Sequence, residues 1–321
     1  MKVRFWGTRG SLPVAPKADA VRDKIAAALV AAGGRSFADE ADARSFLESE
    51  LDFAVAHTYG GATSCVEIDV AEGAFIVCDM GSGLREFGLD AMRRCAQQGH
   101  AREWHFFLSH LHWDHIMGFP FFVPAFVPGS KIVIHAGHAD AEQALRRQQE
   151  EISFPVPFDW LKAAIEFRTL EPGREYPIGA VTVSLIEQHH SHSSYGFRFR
   201  DREGRVAIYS TDSEHKIDRM DGEADVVAFF ADADLVVCDT MYSLADSVSM
   251  KEDWGHSSNL VAIDLCHEAK AKCLALFHHE PTYEDEDIQR MHEESIRYEE
   301  LTRNGPPLTV ICAYDGLEVR L

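Results

Sequence analysis

No apolar run in the 321 residues is long enough to cross a bilayer, which takes about 20 residues. The opening MKVRFWGTRG lacks the apolar h-region of a secretory signal, so a cytoplasmic location is expected. Seven cysteines (65, 78, 95, 238, 266, 273 and 312) form no CxxC pair, are odd in number and sit mostly in apolar stretches. Buried thiols are therefore expected, rather than a disulfide framework. Basic residues are scarce, 31 against 52 acidic, and the resulting charge of −21 repels polyanions over most of the surface. Long nucleic acid is not an expected partner, and neither is a membrane. Repeats of fixed period and low-complexity tracts are also missing. With 46% apolar residues the chain is not disordered: it can bury a large core, as one big α/β domain or two smaller ones.

Short β-type runs recur along the chain: VRFWG, CVEIDV, AFIVCDM, EWHFFLS, KIVIHA, AVTVSLIEQ, YGFRFRD, RVAIYS, DLVVCD, KCLALF, LTVICA and LEVRL. Helical spacing appears between them at 83–97, 138–150, 222–232, 256–270 and 284–303. Strands that come paired early and late suit two sheets covered by helices better than one parallel sheet. Residues 16–57 look inserted, with two helices split at Gly33-Gly34, and read as a packing ornament or oligomer contact more readily than as a lid.

DMGSGLREFG invites a dinucleotide-binding reading, but Glu86 stands where the third glycine of GxGxxG belongs, so a tight strand-to-helix turn is preferred. Asp79, closing that strand, either orients ligands from behind or caps the turn.

SHLHWDH places His110, His112, Asp114 and His115 between two apolar runs. Imidazoles crowded beside a carboxylate are costly to desolvate unless a cation binds them. In an extended loop His110 and His112 point the same way, and a helix starting after them would project Asp114 and His115 from its first turn. Such a set can hold two neighbouring metals. Later strands end in the missing donor types: His189, His190 and His192; Asp212; His278 and His279.

Through FWGTRGS, YGGATSC, DMGSGLR, SHLHWDH, STD, GHSS and FHHEP, the chain resembles the metallo-β-lactamase-fold hydrolase superfamily, over nearly its whole length except 16–57. It is most similar to the phosphodiesterase branch that includes tRNase Z-like enzymes and phosphoribosyl cyclic phosphate phosphodiesterases. The resemblance implies a four-layer αββα sandwich of two mixed sheets flanked by helices. It also implies a single metallo-hydrolase domain over 1–321 with a helical insertion at about 16–57. His110, His112 and a third histidine would hold one metal; Asp114, His115 and a C-terminal histidine the other; Asp212 would bridge. Counting back six residues from Gly196, as in the phosphodiesterase branch, selects His190, with His189 as fallback and His192 third. His278 is preferred to His279, as the histidine that first follows its strand. His256 in GHSS resembles the branch's extra histidine, an electrostatic helper or proton donor, with helix capping as the structural alternative.

The bridging aspartate, which true β-lactamases lack, argues against a lactam substrate. The protruding tRNA arm of the RNA-processing members has no counterpart beyond the acidic 16–57 insertion, which suits an RNA grip badly. The expected function is a dinuclear metal-dependent hydrolase, a phosphodiesterase acting on a small or cyclic phosphodiester through a metal-bridging hydroxide. Asp114 would serve as ligand and proton acceptor, with His256 at the phosphate or leaving oxygen. Zinc suits the histidine-rich site best, and manganese or iron are compatible with its mixed donors. Homodimers are common among such folds. Two rivals remain: a thioester or lactone hydrolase on the same fold, and a catalytically silent metal-holding sensor or interaction module.

Overall fold

A computed structural model describes residues 1–70, 73–215, 224–243 and 255–321. Fourteen strands lie within those residues: β1 (Lys2–Gly7), β2 (Cys65–Asp69), β3 (Phe75–Cys78), β4 (Glu103–Leu108), β5 (Lys131–Ala136), β6 (Ala164–Thr169), β7 (Glu175–Ile178), β8 (Val181–Gln188), β9 (Ser194–Asp201), β10 (Val206–Ser210), β11 (Leu235–Asp239), β12 (Cys273–Phe277), β13 (Thr309–Cys312) and β14 (Glu318–Arg320). The helices among them are α1 (Ala18–Ala32), α2 (Glu40–Glu50), α3 (Phe53–Ala56), α4 (Leu84–Gln98), α5 (Trp113–Ile116), α6 (Ala141–Gln148), α7 (Ala224–Phe230), α8 (Asn259–Glu268) and α9 (Asp285–Thr302).

The strands form two seven-stranded mixed sheets, in the orders β14-β1-β2-β3-β4-β5-β6 and β13-β12-β11-β10-β9-β8-β7. Side chains alternate between two dry faces, which is why the central strands read as unbroken apolar runs. In β4, Trp104, Phe106 and Leu108 face a helix-side core with Leu84 and Phe87 of α4, while Phe107 enters the core between the sheets. There Phe107 meets Phe197 and Phe199 of the opposite sheet, ring centroids 5.4 and 5.1 Å away. In β12 the same alternation sends Leu274 and Leu276 toward α7 and α8, and Ala275 and Phe277 inward. The expected four-layer αββα sandwich is therefore the observed architecture.

Two strands escaped the sequence reading, β6 and β7. Each is the outer strand of its sheet, and an outer strand needs less apolar surface: β6 is largely exposed, and β7 carries Pro177, tolerated where no neighbour needs its N–H. The insertion holds three helices rather than two. Gly33, in the left-handed region at φ 56°, ends α1, and the short α3 follows α2. Lys24 fastens α1 to α9 through Asp285 at 2.5 Å, and Lys17 reaches Glu284 at 3.1 Å. Of the expected helix at 222–232, residues 222 and 223 lie outside the described residues, and α7 covers 224–230. All seven cysteines are free thiols, five of them buried. No described helix is long and apolar enough to cross a membrane.

Strand direction decides where chemistry collects. β3 and β4 run parallel, as do β10, β11 and β12, so each group ends at one edge. Two successive antiparallel pairings, β8 with β9 and β9 with β10, make β8 run the same way as β10. The residues that follow β3, β4, β8, β10 and β12, together with the last residue of β11, are Asp79, Ser109-His110, His189-His190, Asp212 and its neighbours, His278 and Asp239.

Candidate metal centre

Those strand ends converge into two groups of donors. His110, His112, His190 and Asp212 form one; Asp114, His115, Asp212 and His278 form the other. Asp212 belongs to both and divides its carboxylate between them. Oδ1 lies 3.1 Å from His115 Nε2 and 3.2 Å from His278 Nε2, while Oδ2 lies 3.5 Å from His110 Nε2 and 3.8 Å from His190 Nε2. Asp212 takes a left-handed backbone conformation, φ 48°, and so do Asp79 (59°) and His278 (64°). Strained backbone at three strand ends turns these side chains back over the edge of the sandwich.

The spacing tests whether a cation fits. Zinc held tetrahedrally at roughly 2.0–2.1 Å keeps its donor atoms about 3.3 Å apart. In the second group His115 Nε2 is 3.1 Å from Asp114 Oδ2 and 3.2 Å from His278 Nε2, and His278 Nε2 is 3.4 Å from Asp114 Oδ2. In the first, His112 Nδ1 is 3.3 Å from His190 Nε2. Nitrogens that face one another at this range have no proton geometry that satisfies them all, and the buried His110 Nε2 has no hydrogen-bond partner. A divalent ion within each group satisfies these atoms together, so the donor set fits two metals.

Electrostatics point the same way. Burial favours the neutral carboxyl, yet the surrounding imidazoles, His115 foremost, hold Asp114 and Asp212 well below the usual carboxylate range. Burial lowers His110, His112 and His190, leaving neutral rings with a lone pair to give. His115 is the exception: burial opposes its charging, but Asp212, Asp114 and Asp79 raise it well above the ordinary value. Three carboxylates around one ring draw positive charge to that point, a role a divalent cation takes over from a proton.

Behind the donors lies a rigid shell. Asp79 Oδ2 accepts from Ser109 Oγ at 2.7 Å and Tyr209 Oη at 2.7 Å and pairs with His115 Nδ1 at 2.7 Å; its Oδ1 accepts from the Ser109 N–H at 2.8 Å. This orients His115 and answers the question left open for Asp79. His190 Nδ1 is turned to the Gly255 carbonyl at 2.9 Å, and the Ser11 N–H donates to Asp114 Oδ2 at 2.8 Å. An Asp79→Asn variant should fold but bind the ion beside His115 about 10–100-fold more weakly, read by zinc competition with a chromophoric chelator. An unchanged affinity would remove Asp79 from the orienting role.

The twin histidines separate cleanly. His190 joins the first group, whereas His189 is exposed and His192 is exposed with φ 67°. His278 joins the second, whereas His279 turns away and pairs its Nε2 with the Ala313 carbonyl at 2.8 Å. His256 does not cap α8; Ser258 does, accepting from the Val261 N–H. Its Nδ1 is 2.7 Å from Asp239 Oδ2, and its ring stacks on His278 with centroids 5.1 Å apart and lies 5.3 Å from His190. Burial works against its protonation, but Asp239 raises its pKa to about 9. Asp239, His256 and His278 make a third grouping; because Asp239 and His256 already satisfy each other, they form an orienting pair rather than another metal site.

Several contributors went unnoticed in the sequence. Asp239 closes the apolar run DLVVCD just as Asp79 closes AFIVCD, a signal that was present. Gly10 and Gly255 left none: a Cβ on Gly10 would lie 2.6 Å from the His278 ring, and one on Gly255, at φ +85°, 2.3 Å from His190 Nδ1. The glycines of DMGSGLR serve packing as well, since a Cβ at Gly81 would meet the Asp114 carbonyl at 2.4 Å and one at Gly83 the Trp6 carbonyl at 2.3 Å.

Known proteins share this fold. The metallo-beta-lactamase fold protein YhfI from Bacillus subtilis superposes with a TM-score of 0.64 at 18% identity, covering 99% of this chain and 98% of that one. A diphosphatase of the PhnP family superposes with a TM-score of 0.59 at 16% identity, covering 100% and 97%. In sequence, a ribonuclease Z from Oceanobacillus iheyensis is 23% identical over 238 residues, 59% of this chain and 75% of that protein. Residues 76–279, well over half of the chain, match the family described as the beta-lactamase superfamily domain. That segment contains every donor of both groups, and the chain belongs to this family of metal-dependent hydrolases.

Proposed function

We propose that the protein is a phosphodiesterase that uses two divalent ions, zinc by preference, on small or cyclic phosphodiesters. The observation that carries the reading is the part-buried Asp239–His256 pair beside both donor groups. Two ions in the cage would supply an activated water and positive charge for the phosphoryl oxygens. The protein's own groups do the rest. Asp212 spans both groups and sets their separation. Asp114, fixed by the Ser11 N–H, is a ligand with carboxylate capacity left to accept a proton. His256, held by Asp239, stands at the edge of the cage, where as an imidazolium it would steady a phosphoryl oxygen or protonate the departing alkoxide.

Similarity to a protein named ribonuclease Z supports a phosphodiester bond, and the charge of −21 argues for a small substrate over a long RNA. The test is turnover of bis(p-nitrophenyl) phosphate, and of a phosphodiester with an alkyl leaving group, by protein loaded with Zn²⁺ or Mn²⁺. Hydrolysis that disappears in His256→Ala when the leaving group is an alkyl alkoxide, and persists in part for p-nitrophenolate, is the expected result, because only the poor leaving group needs a proton. No phosphodiester turnover, with thioesters or lactones hydrolysed instead, would move the function to that bond. Two bound ions without activity on any ester class would make the protein a metal-holding sensor.

A further inference from the structure

GTRGS, the stretch that ends β1, supplies no metal donor, yet it crosses the edge of the sandwich where the donors collect. Arg9 bridges to Thr63 on one side and to His279 on the other. The Arg9 N–H donates to the Ala62 carbonyl at 2.9 Å, the Gly10 N–H to the His279 carbonyl at 2.9 Å, and the His279 N–H to the Thr8 carbonyl at 3.0 Å. Residues 8–10 therefore tie the first sheet to the second beyond the strand ends. The chain then touches one donor from each sheet. Gly10 stands so close to the His278 ring that a Cβ there would lie 2.6 Å from it, and the Ser11 N–H, on backbone at φ 54°, donates to Asp114 Oδ2 at 2.8 Å.

His278 depends on that contact. Asp79 orients His115, the Gly255 carbonyl orients His190, and Ser109 Oγ lies 3.1 Å from His110 Nδ1, but the buried His278 Nδ1 has no hydrogen-bond partner among the described residues. Packing fixes its ring instead, from Gly10 and from the stacked His256. What holds Gly10 in place is its neighbour. Arg9 is 3% exposed, and its guanidinium donates to three carbonyls: through Nε to Gly60 at 2.9 Å, and through Nη1 to Glu280 at 3.1 Å and Tyr283 at 2.8 Å. The Asp285 carboxylate is 4.0 Å away and closer to Lys24. A buried cation is costly, and this one braces the loops before β2 and after β12, which a lysine ammonium cannot do with the same planar fork. We propose that Arg9 is a positioning residue of the metal centre: it locks residues 8–11 across the two sheets, and the locked segment sets His278 and Asp114 for the second ion. The inference rests on the two-ion reading above and not on which bond is cleaved.

Cobalt substitution tests this without turnover, because the visible bands of Co²⁺ report the geometry of its ligands. Metal-free wild type should take up two equivalents of Co²⁺. In Arg9→Ala one equivalent is expected to bind about 10–100-fold more weakly, with altered bands, while the other keeps its affinity. Guanidinium ion at millimolar concentration, filling the vacated space, should restore the bands, whereas sodium at the same ionic strength should not. Gly10→Ala should weaken the same equivalent and leave the melting temperature of the metal-free protein near that of the wild type, since the added methyl meets a ring that can turn rather than backbone. Two unchanged equivalents in either variant would overturn the proposal. Loss of both equivalents in step with a lower metal-free melting temperature would overturn it too, by marking Arg9 as a residue that only holds the fold. Should Arg9→Ala not fold, Arg9→Lys takes its place, and Gly10→Ala tests the segment independently. Uptake of one equivalent by the wild type would end the two-ion reading alone, and the same shifts in that equivalent would still decide the positioning role; uptake of none overturns both.

Discussion

Asp212→Ala is expected to reduce hydrolysis by more than about a thousandfold and to lower bound metal from two ions per chain to one or none. This is the largest effect of any single substitution, because Asp212 is the one donor common to both groups. Its two oxygens stand 3.1–3.8 Å from four imidazole nitrogens. Removing the carboxylate leaves five histidines and Asp114 to hold two dications, with half the anionic charge of the donor set gone. The backbone at φ 48° also suits Asp better than Ala, so some stability is lost too. Asp212→Asn separates the two effects, since it keeps the shape and the local bonding capacity but not the charge. Metal content by inductively coupled plasma mass spectrometry, measured beside activity, decides the matter. Two tightly bound ions with near-normal turnover in Asp212→Ala would mean that Asp212 is not a ligand.

The second large effect is on stability. Stripping the ions with a chelator should lower the melting temperature by on the order of 10 °C, and adding Zn²⁺ back should restore it. Ligand at about a thousandfold above its dissociation constant stabilises the native state by about 4 kcal/mol per site. For a chain of this size each kcal/mol corresponds to roughly 2–4 °C. The physical origin is the crowd of buried groups: Asp79, Asp212, His110, His115 and His278 are each no more than 2% exposed. Without cations their mutual fields and unsatisfied nitrogens oppose folding; with cations they become ligands. Differential scanning calorimetry with and without chelator reads the shift directly. A melting temperature indifferent to chelator would show that the cage is stable empty.

Most of the sandwich was legible because its central strands are dry on both faces. Twelve of the strands announce themselves as apolar runs ended by polar residues, and the helices between them by amphipathic spacing. The two strands that stayed hidden, β6 and β7, lie at sheet edges, where one neighbour and partial exposure relax the demand for apolar residues. The third helix of the insertion, α3, is only four residues long, too short for periodicity to register. In the apolar stretch after the motif, Ile116, Phe119 and Phe122 are buried in the helix-side core, while Met117, Pro120 and Phe121 line a surface cavity.

What the sequence determined by itself is the half of the candidate metal centre that is local. His110, His112, Asp114 and His115 lie within six residues, so an extended loop running into the first turn of α5 is enough to gather them, whatever the rest of the chain does. The other half depends on distance in sequence collapsing to a few ångströms, and only the tertiary structure could do that. Adjacent residues leaving a strand point to opposite sides, so the choice of His190 over His189, and of His278 over His279, follows from the turns taken beyond β8 and β12. Composition carries no trace of such turns. The same holds for Asp239 reaching His256, and for Gly10 and Gly255 clearing space for His278 and His190. These are requirements of shape between segments up to about 270 residues apart, and a side chain's neighbours across the fold, unlike its neighbours along the chain, are set by packing.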